Sequence, residues 1–339
     1  MSKTPKITLE MKNFRGIKQG KVELNDVNIL IGGNNTGKTT ILEALFLAPN
    51  PLRETPYTKR AIEILNERHK TLGTQGYTFI HHYYTETPAQ ITVASREKKI
   101  KINFDMGKSK ISVSVKDEKT EKETTLGFLG ATSNSIEGTA HENEVFLEDS
   151  LYFHPSLLKL AWNSLSSIWI RVLGLRITGE IAKQVSSAIG GKYDDITLEP
   201  FMAGQITLYM REVDARRIRL GDIGDGIQVF VTLRLLYELS KPRLLLIDDV
   251  ESHMNPRLLG VLANWLADVV ERDKVILVAS THSIEAAKLI SSLLEDYNPQ
   301  ILLLSIRDGV LDYKRLGLGD IEKLEKIGVD VRAAEGLIL

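Results

Sequence analysis

Hydrophobic and polar positions change period several times along this chain, and each change marks an element. Residues 7–14 alternate, Arg15-Gly16 breaks the pattern, and residues 20–24 alternate again. A period of two fits half-buried strands, so this stretch predicts a hairpin. Residues 27–31 form a short apolar run, the pattern of a buried strand, and 41–47 are apolar at helical spacing. Pro49, Pro51 and Pro56 end regular structure, and 58–72 read as a second helix. Stretches 90–94, 99–104, 110–115 and 124–129 read as strands of an antiparallel meander, divided by turn and charge clusters such as Ser95-Arg96-Glu97. Residues 132–142 are polar without periodicity and read as a loop.

The second half changes character. Leu157, Leu158, Leu160, Ala161, Leu165, Ile168, Trp169 and Val172 recur at helical spacing, Gly174 interrupts, and 177–189 resume it. That spacing predicts two or three helices in a separate lobe, with Trp162 and Trp169 as packing residues rather than a partner site. Short strands follow at 196–198 and 205–209. From Arg243 the order is strand 244–247, helix 256–271, strand 275–279, helix 284–294 and strand 301–306. Such alternation implies a parallel sheet with crossover helices. The expected class is therefore α/β: a parallel sheet core, an antiparallel β-subdomain and a small helical lobe. The expected division is 1–150, 151–195 and 196–339.

Composition narrows the picture a little. At 339 residues the chain holds two domains or one large one with a sizeable core. A net charge of −1 argues against a wholly basic nucleic-acid binder, although a local basic patch does not show in the sum. The absence of cysteine excludes disulfides, thiolate catalysis and zinc–thiolate sites. No apolar run approaches the roughly 20 residues that span a bilayer. Residues 1–6 carry no apolar signal-peptide core, so a cytoplasmic chain without membrane contact is expected.

The candidate chemistry starts between the 27–31 strand and the following helix. Gly32, Gly33, Asn34, Asn35, Thr36, Gly37, Lys38 and Thr39 fit the phosphate-loop pattern G-x-x-x-x-G-K-[ST], with Thr40 next. Glycines let successive N–H groups face one concavity at the positive end of a helix, where a triphosphate is held. Lys38 would neutralise the β- and γ-phosphates of ATP, and the Thr39 hydroxyl would ligate Mg²⁺. At 244–249 four apolar residues run into Asp248 and Asp249. Asp248 at the strand end would hold Mg²⁺ through water, and Asp249 would polarise the attacking water. His282, after the 275–279 strand, can sense a γ-phosphate or be structural. Gly224, Asp225 and Gly226 open an apolar helix over 229–239, either as a second anion site or as a plain helix start capped by Asp225.

Taken together and in this order, these motifs resemble the ABC-type ATPase heads of the RecF, SMC and OLD group of AAA-family ATPases. Asn13-Phe14-Arg15-Gly16-Ile17 leading into 28–45 looks like that group's opening strand and Walker A. Residues 244–256 resemble its Walker B and D-loop, 224–228 its signature motif, and His282 its switch histidine. The resemblance runs from Ile7 to about Gly317 and implies a P-loop NTPase of ABC type. It also implies a mechanism: two heads sandwich two ATP molecules, Gly224 to Gly226 act in trans, Arg15 approaches the nucleotide, and hydrolysis opens the dimer. Two positions depart from the group. Asp249 stands where the usual catalytic acid is glutamate, which implies slow hydrolysis or a contribution from Glu251. Gly224 stands at the signature serine. The glutamine loop is left open among Gln75, Gln90 and His82.

Two functions follow from that resemblance. One is an ATPase whose dimerisation gates double-stranded DNA, in genome maintenance or defence against mobile DNA. The other is a slow ATP-dependent switch subunit that regulates a separate effector protein without touching DNA. The stretch between Thr39 and Gly224 leaves no room for a long coiled-coil arm, and the stretch after His282 leaves none for an appended nuclease, so a head alone is expected. Arg211, Arg216, Arg217 and Arg219 are the best candidates for DNA or partner contact, ahead of Lys98, Lys99, Lys101, Lys108 and Lys110.

Overall fold

The computed structural model describes residues 6–70 and 75–326. Its first half holds β1 (Ile7–Phe14), β2 (Ile17–Leu24), β3 (Val27–Ile31), α1 (Lys38–Leu47) and α2 (Ala61–His69). Then come β4 (Ala89–Ala94), β5 (Lys99–Met106), β6 (Lys110–Asp117), β7 (Glu123–Gly130), β8 (Ile136–Gly138) and β9 (Ser150–Phe153). Three helices follow, α3 (Leu158–Ser167), α4 (Trp169–Leu175) and α5 (Thr178–Ile189), before β10 (Tyr193–Pro200), β11 (Ile206–Glu212) and β12 (Arg217–Arg219). The last third is α6 (Asp225–Ser240), β13 (Leu244–Ile247), α7 (Pro256–Asp273), β14 (Ile276–Ser280), α8 (Ile284–Leu293), β15 (Gln300–Arg307), β16 (Val310–Leu316) and α9 (Leu318–Lys326).

The apolar runs without alternation end up at the centre, because only strands covered on both faces can bury every side chain. β3, β13 and β14 are buried at every residue. The large sheet runs β8-β7-β6-β5-β4-β1-β2-β16-β15-β3-β14-β13-β9. Its segment β15-β3-β14-β13-β9 is parallel throughout. α7 and α8 make the crossovers of that segment, as the alternation of elements predicted. The antiparallel meander β4 to β8 extends the same sheet through β1, with Met11 opposite Ile91. β10, β11 and β12 form a small antiparallel sheet beside the helical lobe.

α6 is buried at thirteen positions, Gln228, Thr232, Arg234 and Glu238 among them, so it runs inside the molecule against the lobe helices and α7. It begins at Asp225, one turn before the predicted start. Trp162 and Trp169 fall on separate helices, because α3 ends at Ser167. Trp162 Nε1 donates to Thr232 Oγ1 at 2.8 Å, and Trp169 is buried, so both pack the lobe.

Other expectations change. The helix predicted over 58–72 is the shorter α2: Thr58 has a left-handed φ of 53°, and Glu63 accepts from the Arg60 N–H to start the helix at Ala61. Its predicted end at Leu72 lies outside the described residues. The predicted loop 132–142 contains β8, paired with β7. β9 and β12 were missed. Because β9 pairs with β13, the helical lobe starts near Pro155 rather than at 151.

Candidate functional site

Ligands of open parallel sheets sit beyond the carboxyl ends of the strands, and the motifs converge there. β3 delivers the phosphate loop to α1, and two glycines make the loop possible. Gly32 takes φ 143°, where a Cβ would lie 2.8 Å from the Leu304 carbonyl oxygen. Gly37 caps α1 at φ 92°. Thr36 Oγ1 donates to the Gly33 carbonyl at 3.0 Å, and Lys38 Nζ donates to the carbonyls of Gly32 (2.9 Å) and Gly33 (2.7 Å). A cavity of about 310 Å³ opens over the loop, lined by Arg15, Asn34, Asn35, Thr36, Gly37, Lys38, Thr39, Thr40, Arg68, Asp249 and His282. A second cavity, about 270 Å³, lies at the opposite strand ends among Lys6, Arg96, Arg243 and Leu244, and holds none of the candidate site residues.

Asp248 is the hub of the site. It leaves the end of β13 and is 1% exposed. Its Oδ2 accepts from Thr39 Oγ1 at 2.9 Å, Tyr152 OH at 3.0 Å and Arg68 Nη2 at 3.1 Å. Its Oδ1 accepts from Ser280 Oγ at 2.5 Å. Thr39 and Asp248, 209 residues apart, are thus joined directly.

Asp249 follows in a left-handed conformation, φ 54°, with its N–H donating to Ser280 Oγ at 2.9 Å. That backbone turns its side chain out into the cavity. His154 Nε2 lies 3.6 Å from one carboxylate oxygen, and His282 Nε2 lies 3.9 Å from the other. The facing His154 ring holds the Asp249 carboxyl below the usual range, and His282 and Lys38 act in the same direction. The tautomer of His154 is set locally. Its Nδ1 accepts from the Ser156 N–H at 3.1 Å, which leaves the Nε2 proton facing Asp249. Sequence reasoning missed His154. Its one signal is a histidine between a short apolar run and Pro155.

Glu251 does not line the cavity. Its carboxylate accepts from Thr281 Oγ1 at 2.6 Å and from the His282 N–H at 2.8 Å, so it fixes the turn that carries His282. None of Gln75, Gln90 and His82 lines the cavity either. His82 instead donates through Nδ1 to the Arg15 carbonyl, 2.8 Å away.

Under the loop lies a buried charge cluster absent from the sequence reading. Glu43 of α1 is fully buried and pairs with Arg15, with Arg68 at 3.5 Å and with His69 at 2.8 Å. Burial and the neighbouring Arg68 lower the Arg15 guanidinium to about 10. His69 donates to a carboxylate already shared by two guanidiniums. Burial, Arg15 and Arg68 push it down to about 2, so it is a neutral imidazole.

Gly224, Asp225 and Gly226 stand apart from this cavity, at the N-terminus of α6. Gly226 packs so tightly on the turn after β13 that a Cβ would lie 2.4 Å from the His253 carbonyl oxygen. The candidate arginines nearby are held by acids. Arg216 meets Asp214 at 2.7 Å, Arg219 meets Asp222 at 2.5 Å, Arg211 meets Asp194 at 3.2 Å, and Arg217 pairs with Glu199.

Comparison with known proteins bears on the fold. Residues 7–152 match the family model described as an AAA ATPase domain. A DNA replication and repair protein RecF of Staphylococcus haemolyticus is 32% identical over 98 residues, which is 28% of this chain and 25% of that protein. The chain therefore matches about a quarter of its curated relative's length. Among solved structures, an SMC head bound to the C-terminal winged-helix domain of ScpA superposes with a TM-score of 0.53 at 12% identity, over 94% of this chain and 100% of that one. An SMC head with an extended coiled coil from Pyrococcus furiosus gives 0.52 at 10% identity, over 95% and 98%. At such identities the likeness is one of fold. Among the described residues no helix is long and apolar enough to cross a membrane. Family model, relative and fold converge on one conclusion: the chain has the fold of an ABC-type ATPase head and resembles the RecF and SMC group.

Proposed function

We propose that this chain binds ATP with Mg²⁺, hydrolyses it to ADP and phosphate, and pairs with a second copy while ATP is held. The observation that carries this reading is the 2.9 Å contact between Thr39 Oγ1 and Asp248 Oδ2 beside the phosphate loop. A hydroxyl and a carboxylate are hard oxygen donors, the set that suits Mg²⁺ when phosphate and water complete its shell. Gly32, Gly33, Asn34, Asn35, Thr36 and Gly37 would cradle the phosphates, with Thr40 beside them and Arg15 in the wall. Lys38 would turn from the Gly32 and Gly33 carbonyls onto the phosphates. Mg²⁺, when bound, neutralises charge that builds on the transferred group.

Asp249 is the proposed base for the attacking water, aimed by His154 and His282. Its depressed pKa keeps it ionised at neutral pH, but also makes it a weaker base than one poised near 7. Slow turnover follows. Glu251 is a positioning residue that acts through His282. Gly224, Asp225 and Gly226, outside their own cavity, would close over the second copy's nucleotide with the positive end of α6.

Two roles fit such a head. The RecF relative supports a DNA-gated ATPase in maintenance or defence. The pairing of Arg211, Arg216, Arg217 and Arg219 with acidic neighbours favours the other role, a switch subunit that signals to an effector protein. The ScpA-bound SMC head is a precedent for a protein partner. Steady-state ATP turnover at low salt, with and without double-stranded DNA, separates the two. Stimulation by DNA supports gating, and slow turnover indifferent to DNA supports the switch. No turnover above the Lys38→Ala background overturns the hydrolytic reading.

A further inference from the structure

We infer that Arg68 is an exchange switch: it gives up Asp248 and takes the phosphates of the nucleotide when Mg²⁺ engages Thr39 and Asp248. This rests on the ATP reading above and goes beyond it by assigning a role to α2.

Asp248 has few acceptor sites to share. A carboxylate offers about four lone-pair positions, and Asp248 has four donors: Ser280, Thr39, Tyr152 and Arg68. Three of them meet on Oδ2, the oxygen that faces Thr39, so a cation shared by Oδ2 and Thr39 must displace one. Ser280 and Tyr152 are fully buried in the sheet, and Thr39 is the cation's other ligand. Arg68 is the donor free to yield. It sits in the last turn of α2, its side chain is 16% exposed, and it already lines the phosphate cavity. Its Nε is buried with no hydrogen-bond partner. A guanidinium and a divalent cation on one oxygen also repel. Once displaced, Arg68 needs no long journey, since a planar guanidinium matches phosphate geometry and Glu43, 3.5 Å away, keeps it anchored. α2 would then report which nucleotide is bound.

The test compares wild type, Arg68→Ala and Arg68→Gln, with Lys38→Ala as control. Mn²⁺ affinity without nucleotide is read by electron paramagnetic resonance, and ATP and ADP affinities by a fluorescent nucleotide. Removing the competing cation should tighten Mn²⁺ binding in both Arg68 variants by about tenfold, the worth of one charge-assisted hydrogen bond. ATP affinity should fall by about tenfold more than ADP affinity. Unchanged or weaker Mn²⁺ binding, or equal losses for ATP and ADP, would overturn the switch. Should Lys38→Ala bind ATP like wild type, the nucleotide reading itself fails, a separate outcome. Arg68→Gln keeps an amide donor for Asp248, so the test stands if the alanine variant folds poorly.

Discussion

His154 Nε2 stands 3.6 Å from Asp249 Oδ2, joining the end of β9 to the residue after Asp248. This ring is the largest influence that depresses the Asp249 carboxyl. The contribution of that carboxyl to folding is therefore present above the ordinary aspartate value and is lost as pH falls through the lower one. For catalysis, His154→Ala should move the acid limb of the pH–kcat profile upward and lower kcat by about tenfold through lost aim. His154→Gln, which keeps a donor, should restore most of the rate. A pH profile superimposable on wild type would remove His154 from the mechanism.

His69 links stability to pH in a higher range than Asp249 does. Its folded value is about 2, whereas the unfolded imidazole titrates near 6.5. Below about 6.5 the unfolded chain takes up a proton that the folded one refuses, so this group lowers stability by about 1.4 kcal/mol per pH unit. Urea melts at several pH values between 7.5 and 5 should show a shallower decline for His69→Gln. An identical slope would mean that His69 is charged in the folded protein.

Glu43→Gln leaves Arg15 and Arg68 buried with one anion fewer. Breaking a buried pair from one side costs about 3–5 kcal/mol. Chemical denaturation should show a loss of that order, and a loss under about 1 kcal/mol would mean the cluster is open to water.

Gly226→Ala should separate binding from pairing. The new methyl would meet the His253 carbonyl, so the turn at the start of α6 must shift. The phosphate loop lies elsewhere and should be untouched. ATP affinity of the monomer should stay within about twofold of wild type, while turnover falls by at least tenfold or so. Equal loss of both would show that the turn serves its own chain's nucleotide.

What the sequence revealed, and what it hid, follows from distance along the chain. The phosphate loop was legible because Gly32, Gly37, Lys38 and Thr39 act within one strand–turn–helix unit. The parallel core was legible from β3, β13 and β14, whose runs lack alternation because both faces are buried. β9 was not: four residues cannot establish a period, and its burial comes from pairing with β13, 94 residues away between Leu244 and Ser150. His154 was hidden with it. Glu43 gave no signal within its apolar helix, since its partners Arg15 and Arg68 arrive from a hairpin turn and a second helix. Glu251 looked like a spare catalytic acid in sequence. Only the fold shows its carboxylate held by Thr281 and the His282 backbone.

ATP-dependent pairing is tested most directly by light scattering on Asp249→Asn, which keeps the shape of the side chain and removes the base. With saturating ATP and Mg²⁺ the variant should change from monomer to stable dimer, and ADP should leave it monomeric. A variant that binds ATP yet stays monomeric at every concentration would contradict the shared-nucleotide account.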